Sequence, residues 1–142
     1  MSPRWNPNPD VRSGRDVVHH LHAHLVFITK YRRGAFTDPM LVRCEQIMRK
    51  VCADFEAELR EFNGEDDHVH LLVHYPPKVA LSKLVNSLKG VSARMLHKEF
   101  GTHVRKHLWA DHFWSGSYFA GSVGGAPLTM LEQYIEQQKR PV

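Results

Sequence analysis

The residues best able to do chemistry in this chain are histidines, and they are unevenly placed. Eleven occur among 142 residues, four of them between His19 and His24 and three between His68 and His74. His68-Val69-His70 is the tightest pattern. In a strand, side chains two apart leave from the same face, so both imidazoles reach one point in space while Val69 turns into the core. Imidazole suits a divalent metal, and two such ligands leave positions for a third protein group, water and substrate oxygens. Two histidines on a solvated strand face, with no metal, would give the same pattern. Near the carboxyl end, Tyr134 and Gln138 stand four apart, one above the other on a helical face. A phenol, with a pKa of about 10, is a weak nucleophile near neutral pH. It becomes useful where a metal polarises the phosphate it attacks. Gln138 offers a neutral oxygen to such a metal. An amphipathic helix with an incidental tyrosine fits the spacing equally well.

These side chains need elements to hold them. Residues 1–16 are rich in Pro, Asn, Asp and Arg without apolar periodicity, and read as a flexible N-terminal tail ahead of one domain, 17–142. Val17 to Thr29 alternates, with Leu21, Ala23, Leu25 and Phe27 on one face and His20, His22, His24 and Val26 on the other. Asp38 can cap a helix with Pro39 at its first position, running to about Leu59. A strand is expected near Ala57 to Asn63, then a tight turn at Asn63-Gly64 and a strand from His68 to Tyr75. Leu81, Leu84, Val85, Leu88, Val91 and Leu96 mark a second helix to about Phe100. A Trp- and His-rich loop, a short strand at 116–123, a Gly124-Gly125 joint and a last helix from Pro127 to about Lys139 complete the chain. Leu128, Leu131 and Ile135 pack that helix and leave Tyr134 at the edge of its apolar stripe. The order predicts an α+β, ferredoxin-like βαββαβ antiparallel sheet. Two helices should cover one face, and a C-terminal helix should carry the tyrosine.

Composition narrows the class. With 42% apolar residues, a chain this long can bury a core without staples. Cys44 and Cys52 lie eight apart on a helical segment and read as reduced core residues of a cytoplasmic protein. No apolar run reaches membrane-spanning length, and no secretory signal opens the chain. The formal charge of +4 favours nucleic acid only weakly. More pointed is Lys30-Tyr31-Arg32-Arg33, which could grip phosphate and stack on a base. Lys89 and Arg94, with Lys83 and Lys98, could do the same from the second helix, though each equally serves solubility. Trp109 could stack on a base or fill the core, whereas Trp114 reads as core, and His24 as a neighbour of the His68/His70 face if the two strands adjoin.

Five segments, HLVFITKYRRGAF, DHVHLLV, LVNSLKGVSARML, LWADHFWSGSYFAGSVG and LEQYIEQQ, resemble in order and spacing the single-tyrosine HUH transposases of small bacterial insertion sequences. The likeness covers about residues 18–140 and extends to REP-associated relatives. It implies that His68 and His70 bind Mg²⁺ or Mn²⁺, that Tyr134 is the nucleophile and that Gln138 is the third ligand, with Gln137 as a competitor. It also implies cleavage and rejoining of single-stranded DNA at hairpin-marked ends through a 5′-phosphotyrosine, by a homodimer, with no nucleotide cofactor and no membrane. The short stretch after Tyr134 favours the insertion-sequence type. Two other readings use the same residues: a non-catalytic single-strand nucleic-acid-binding module, and a metal-dependent phosphohydrolase that uses water. Neither requires Tyr134.

Overall fold

The computed structural model describes residues 12–13, 18–108 and 113–122. Four strands form one sheet: β1 (His22–Ile28), β2 (Glu58–Gly64), β3 (His68–His74) and β4 (Phe119–Ser122). Their order across the sheet is β2-β3-β1-β4, and every neighbouring pair is antiparallel. With α1 (Asp38–Asp54) between β1 and β2, and α2 (Leu81–Glu99) between β3 and β4, this is the expected ferredoxin-like arrangement. A short helix, α3 (Gly101–His107), follows α2 directly and was not anticipated. Arg12–Ser13, within the expected tail, pairs with Val18–His19. The expected terminal helix and the Gly124-Gly125 joint lie outside the described residues.

The core forms where the period-2 pattern of the strands meets the helical stripes. Ala23, Leu25 and Phe27 of β1 and Val69, Leu71 and Val73 of β3 are buried against Cys44, Ile47, Met48, Val51 and Cys52 of α1 and Leu84, Val85, Leu88 and Leu96 of α2. Trp114 closes one end, as expected, with its Nε1 donating to the buried Ser92 hydroxyl at 3.0 Å.

Element ends differ from the sequence reading for identifiable reasons. The α1 cap is Thr37, whose hydroxyl accepts from Met40 N at 3.4 Å, so Asp38 and Pro39 both sit inside the first turn. The helix stops at Asp54, short of Leu59. Glu56 takes a left-handed φ of 58°, and Ala57 N bonds back to Cys52 O at 2.8 Å. That is a Schellman-type ending, with glutamate at the position usually held by glycine. The β2–β3 turn falls at Glu65–Asp67 and not at Asn63-Gly64. Asn63 and Gly64 still pair with His70 and Val69. Asp66 O accepts from Phe36 N at 2.8 Å and Asp67 O from Thr29 N at 3.0 Å, which hold the reversal there. At Gly64 a Cβ would stand 2.6 Å from Leu41 Cδ2 and 3.2 Å from His68 O, so a larger residue there would displace the Leu41 side chain of α1.

Cys44 and Cys52 are free and buried on one side of α1. Burial, with Glu45 adding to it at Cys44, pushes each thiol up to about 12. We therefore expect neither to react with a thiol-disulfide reagent at neutral pH in the folded protein, and both to react once denaturant unfolds it. A thiol count in each state checks this.

Candidate active site

On the sheet face opposite the helices, β1 presents His22, His24, Val26 and Ile28, and β3 presents His68, His70, Leu72 and His74. Period-2 alternation produces this face, and the register aligns its residues. His22 stands opposite His74, and Val26 opposite His70. His24 is therefore the diagonal neighbour of His70 across the strand pair, and the distances agree. Its Nδ1 lies 3.1 Å from His70 Nε2, with the rings stacked at 5.2 Å between centroids. One nitrogen donates and the other accepts, according to tautomer. Burial, reinforced by His24 and His68 and opposed by Glu61, pushes the His70 imidazole below its ordinary value.

His68 is held differently. Its Nδ1 lies 2.8 Å from Asp67 Oδ1, and the second carboxylate oxygen of Asp67 accepts from Arg32 Nε at 2.5 Å. Burial alone would push the Asp67 carboxyl up. The hydrogen bonds from His68 and Arg32, together with their charge, outweigh it and hold the group below the usual carboxylate range. Glu65, Asp67 and His68 can bring ligand atoms within 4.8 Å of one another, the only such group of three among the described residues. His70 shares the face of His68 but is not part of that group.

The basic turn lies against this site. Lys30–Arg32 forms a single 3₁₀ turn in which Tyr31 and Arg32 both adopt left-handed backbone, φ 57° and 53°. Tyr31 is exposed, with Lys30 Nζ 5.2 Å from its ring centroid, and Arg33 is exposed beside them. Arg32, expected to face DNA with its neighbours, instead turns its guanidinium to Asp67. Lys89 is also engaged within the fold. Its Nζ donates to Ser115 O at 2.8 Å and lies 5.7 Å from the Tyr118 ring centroid, and burial pushes it down. Arg94 is exposed on α2.

Tyr134, Gln137, Gln138 and Trp109 lie outside the described residues, so the meeting of phenol and imidazoles rests on the sequence. Tyr75 and Tyr118 pack against the core, and Tyr118 stands edge-on to Phe27. The residues missed in the sequence are Asp67 and the inward role of Arg32. An aspartate one position before His-x-His was visible, but neighbours along a strand point to opposite faces. Only the turn at Asp67 lets the two side chains meet.

The family model described as "Transposase IS200 like" matches residues 17–138. The ISDra2 transposase TnpA of Deinococcus radiodurans is 30% identical over 129 residues, 91% of each chain. The transposase for insertion sequence element IS200 of Salmonella typhimurium is 34% identical over 115 residues, 81% of this chain and 74% of that one. A solved structure of a Deinococcus radiodurans R1 protein described as a transposase superposes with a TM-score of 0.79 at 29% identity, covering 89% of this chain and 97% of that one. A REP-associated tyrosine transposase bound to a REP hairpin shares the fold, with a TM-score of 0.57 at 10% identity over 88% of this chain and 68% of that one.

A consequence for pH follows from the burial of His70, to which the His24 contact adds. As pH falls through 6.5, the unfolded chain takes up a proton on His70 while the folded chain resists it, so stability declines on the acid side. His24→Ala removes the like charge and admits water. It should raise the midpoint of the His70 Cε1–H NMR titration in metal-free protein, and an unmoved midpoint would refute the coupling.

Proposed function

This chain belongs to the IS200-like transposase family, and on that premise we propose that it cuts and rejoins single-stranded DNA at hairpin-marked element ends through Tyr134. The observation that carries the reading is the pair His68 and His70 on one face of the central strand β3, flanked by an exposed basic turn. Further support comes from the hairpin carried by the REP-associated structure of the same fold.

His68, His70 and Gln138 would hold a divalent ion, Mg²⁺ or Mn²⁺. The donor set suits one: two imidazoles leave a single strand face two residues apart, and imidazole is a ready ligand for a divalent ion. When bound, such an ion polarises a non-bridging phosphate oxygen and offsets charge as the phosphodiester is attacked. The Tyr134 oxygen forms a bond to phosphorus as the bond to the 3′ oxygen breaks. The phenol proton is lost and the departing oxygen leaves as a 3′ hydroxyl. Because the 5′-phosphotyrosine conserves the ester, another 3′ hydroxyl reverses the step on a new partner without ATP. Lys30 and Arg33 would attract phosphates beside the site, Tyr31 would offer a ring for stacking, and Arg94 would extend the positive surface along α2. Arg32 and Lys89, already engaged within the fold, would contribute field more than contact.

The protein would act as a homodimer in the cytoplasm. Of the two sheet edges, β2 carries Glu58, Arg60 and Glu61, whereas β4 (Phe119–Ser122) has no charged residue. Edge charges discourage strand pairing, so β4 is the edge better suited to join a partner's sheet. Among the described residues no helix is long and apolar enough to cross a membrane.

Labelled single-stranded hairpin DNA, incubated with Mg²⁺ or Mn²⁺ and run on a denaturing gel, tests the proposal. We expect a protein-linked band that Tyr134→Phe abolishes. His68→Ala should lose cleavage while retaining hairpin binding. Cleavage that survives Tyr134→Phe would mean water is the nucleophile, and binding with no cleavage would mean a non-catalytic module.

A further inference from the structure

We propose that Asp67, held by Arg32, is a positioning residue for His68: its carboxylate fixes the ring proton on Nδ1 and so keeps Nε2 bare for a divalent cation. An ionised carboxylate can only accept hydrogen bonds, so across the 2.8 Å contact the imidazole must donate. A neutral imidazole that donates from one nitrogen carries its lone pair on the other, which is the form a metal requires.

Asp67 has little freedom to do anything else. Oδ1 accepts from His68 and Oδ2 from Arg32, so both oxygens are in use. Its backbone carbonyl accepts from Thr29 N at 3.0 Å. Asp67 is buried and Thr29 is fully enclosed. Arg32 is fixed in turn, its amide donating to Thr29 O at 2.8 Å. Thr29, Arg32 and Asp67 thus close a ring of contacts whose outlet is the His68 imidazole. With one carboxylate oxygen accepting from His68 and the other from Arg32, the route from Asp67 to a bound cation runs through His68. Arg32 differs from Lys30 and Arg33 for the same reason. Its charge holds the carboxylate in place, and DNA affinity should depend on it far less than on its neighbours.

The inference rests on His68 facing a metal, and the test separates the two ideas. Long-range ¹H–¹⁵N spectra of metal-free ¹⁵N-labelled protein, at a pH where the ring is neutral, report which His68 nitrogen carries the proton. In the wild type it should be Nδ1, and a proton on Nε2 would overturn the inference without any variant having to fold. In Asp67→Asn, Arg32 should retain the amide oxygen, which turns the NH₂ group toward His68. Nδ1 must then accept, and the proton should move to Nε2. Calorimetric titration with Mn²⁺ should show affinity about 10- to 100-fold weaker in Asp67→Asn, the usual effect of losing such a partner, with partial recovery in Asp67→Glu. Arg32→Ala should weaken Mn²⁺ binding and add nothing further in an Asp67→Asn background. Unchanged Mn²⁺ affinity in Asp67→Asn, or losses from the two variants that simply add, would overturn the arrangement. A wild type with the Nδ1–H tautomer that takes up no Mn²⁺ would overturn the metal-centre reading instead.

Discussion

The register of β1 against β3 is the constraint from which the site follows. Seven consecutive pairings, from His22 opposite His74 to Ile28 opposite His68, put every histidine of the two strands on the face away from the helices. A slip of one residue would send a whole strand's set to the other side. It would also take half of the apolar set Ala23, Leu25, Phe27, Val69, Leu71 and Val73 out of its packing against α1 and α2 and put histidines in its place. The larger of these contribute about 1.5–3 kcal/mol each when fully buried. The loss approaches the whole stability of a typical domain, about 5–15 kcal/mol. Val26 and Ile28, turned inward by a slip of β1, would offset only part of it. The side chains that fold the sheet therefore also fix where the imidazoles meet.

That division explains what the sequence made legible. Alternation in β1 and β3 was plain because one face is apolar and the other rich in histidine, and the helical stripes of α1 and α2 were equally direct. The adjacency of His24 to His70 needed only that the strands be neighbours, which the ferredoxin-like order supplies. Less legible were features set by backbone geometry. Glutamate in a left-handed position at Glu56 ends α1 without the glycine that would have announced it. Thr37, and not the more obvious Asp38, caps the same helix. The Asn63-Gly64 pair is a strong turn signal by composition, yet both residues remain in the ladder, because amides of Thr29 and Phe36 hold the turn carbonyls two and three residues further on. A pattern within one segment cannot show a partner that comes from another.

Charge was the hardest thing to read. Lys30, Arg32, Arg33, Lys89 and Arg94 look alike as residue types, and all five suit a phosphate. In the fold they separate: Lys30, Arg33 and Arg94 remain at or near the surface, whereas Arg32 turns in to Asp67 and Lys89 to the carbonyls of Ser115 and Ser117. An arginine directed into a buried carboxylate and one directed at solvent have the same sequence signature. Only the location of Asp67 distinguishes them.

The Lys30–Arg32 turn shows why that inward pair must be firm. Two consecutive non-glycine residues with left-handed backbone cost roughly 1–2 kcal/mol each. A solvated loop would relax out of such a conformation. Here Thr29 Oγ1 donates to Arg33 O at 2.5 Å, Lys30 N donates to Phe113 O at 3.0 Å, and Arg32 is paired with Asp67. The part-buried Arg32–Asp67 pair and these hydrogen bonds together oppose that relaxation. The turn therefore keeps a shape it would not choose in isolation, with Tyr31 outward and Arg32 inward. The same carboxylate that meets the His68 imidazole on one side anchors, through Arg32, a turn that carries Tyr31 outward with Lys30 and Arg33 beside it, so the turn and His68 are tied together through Asp67.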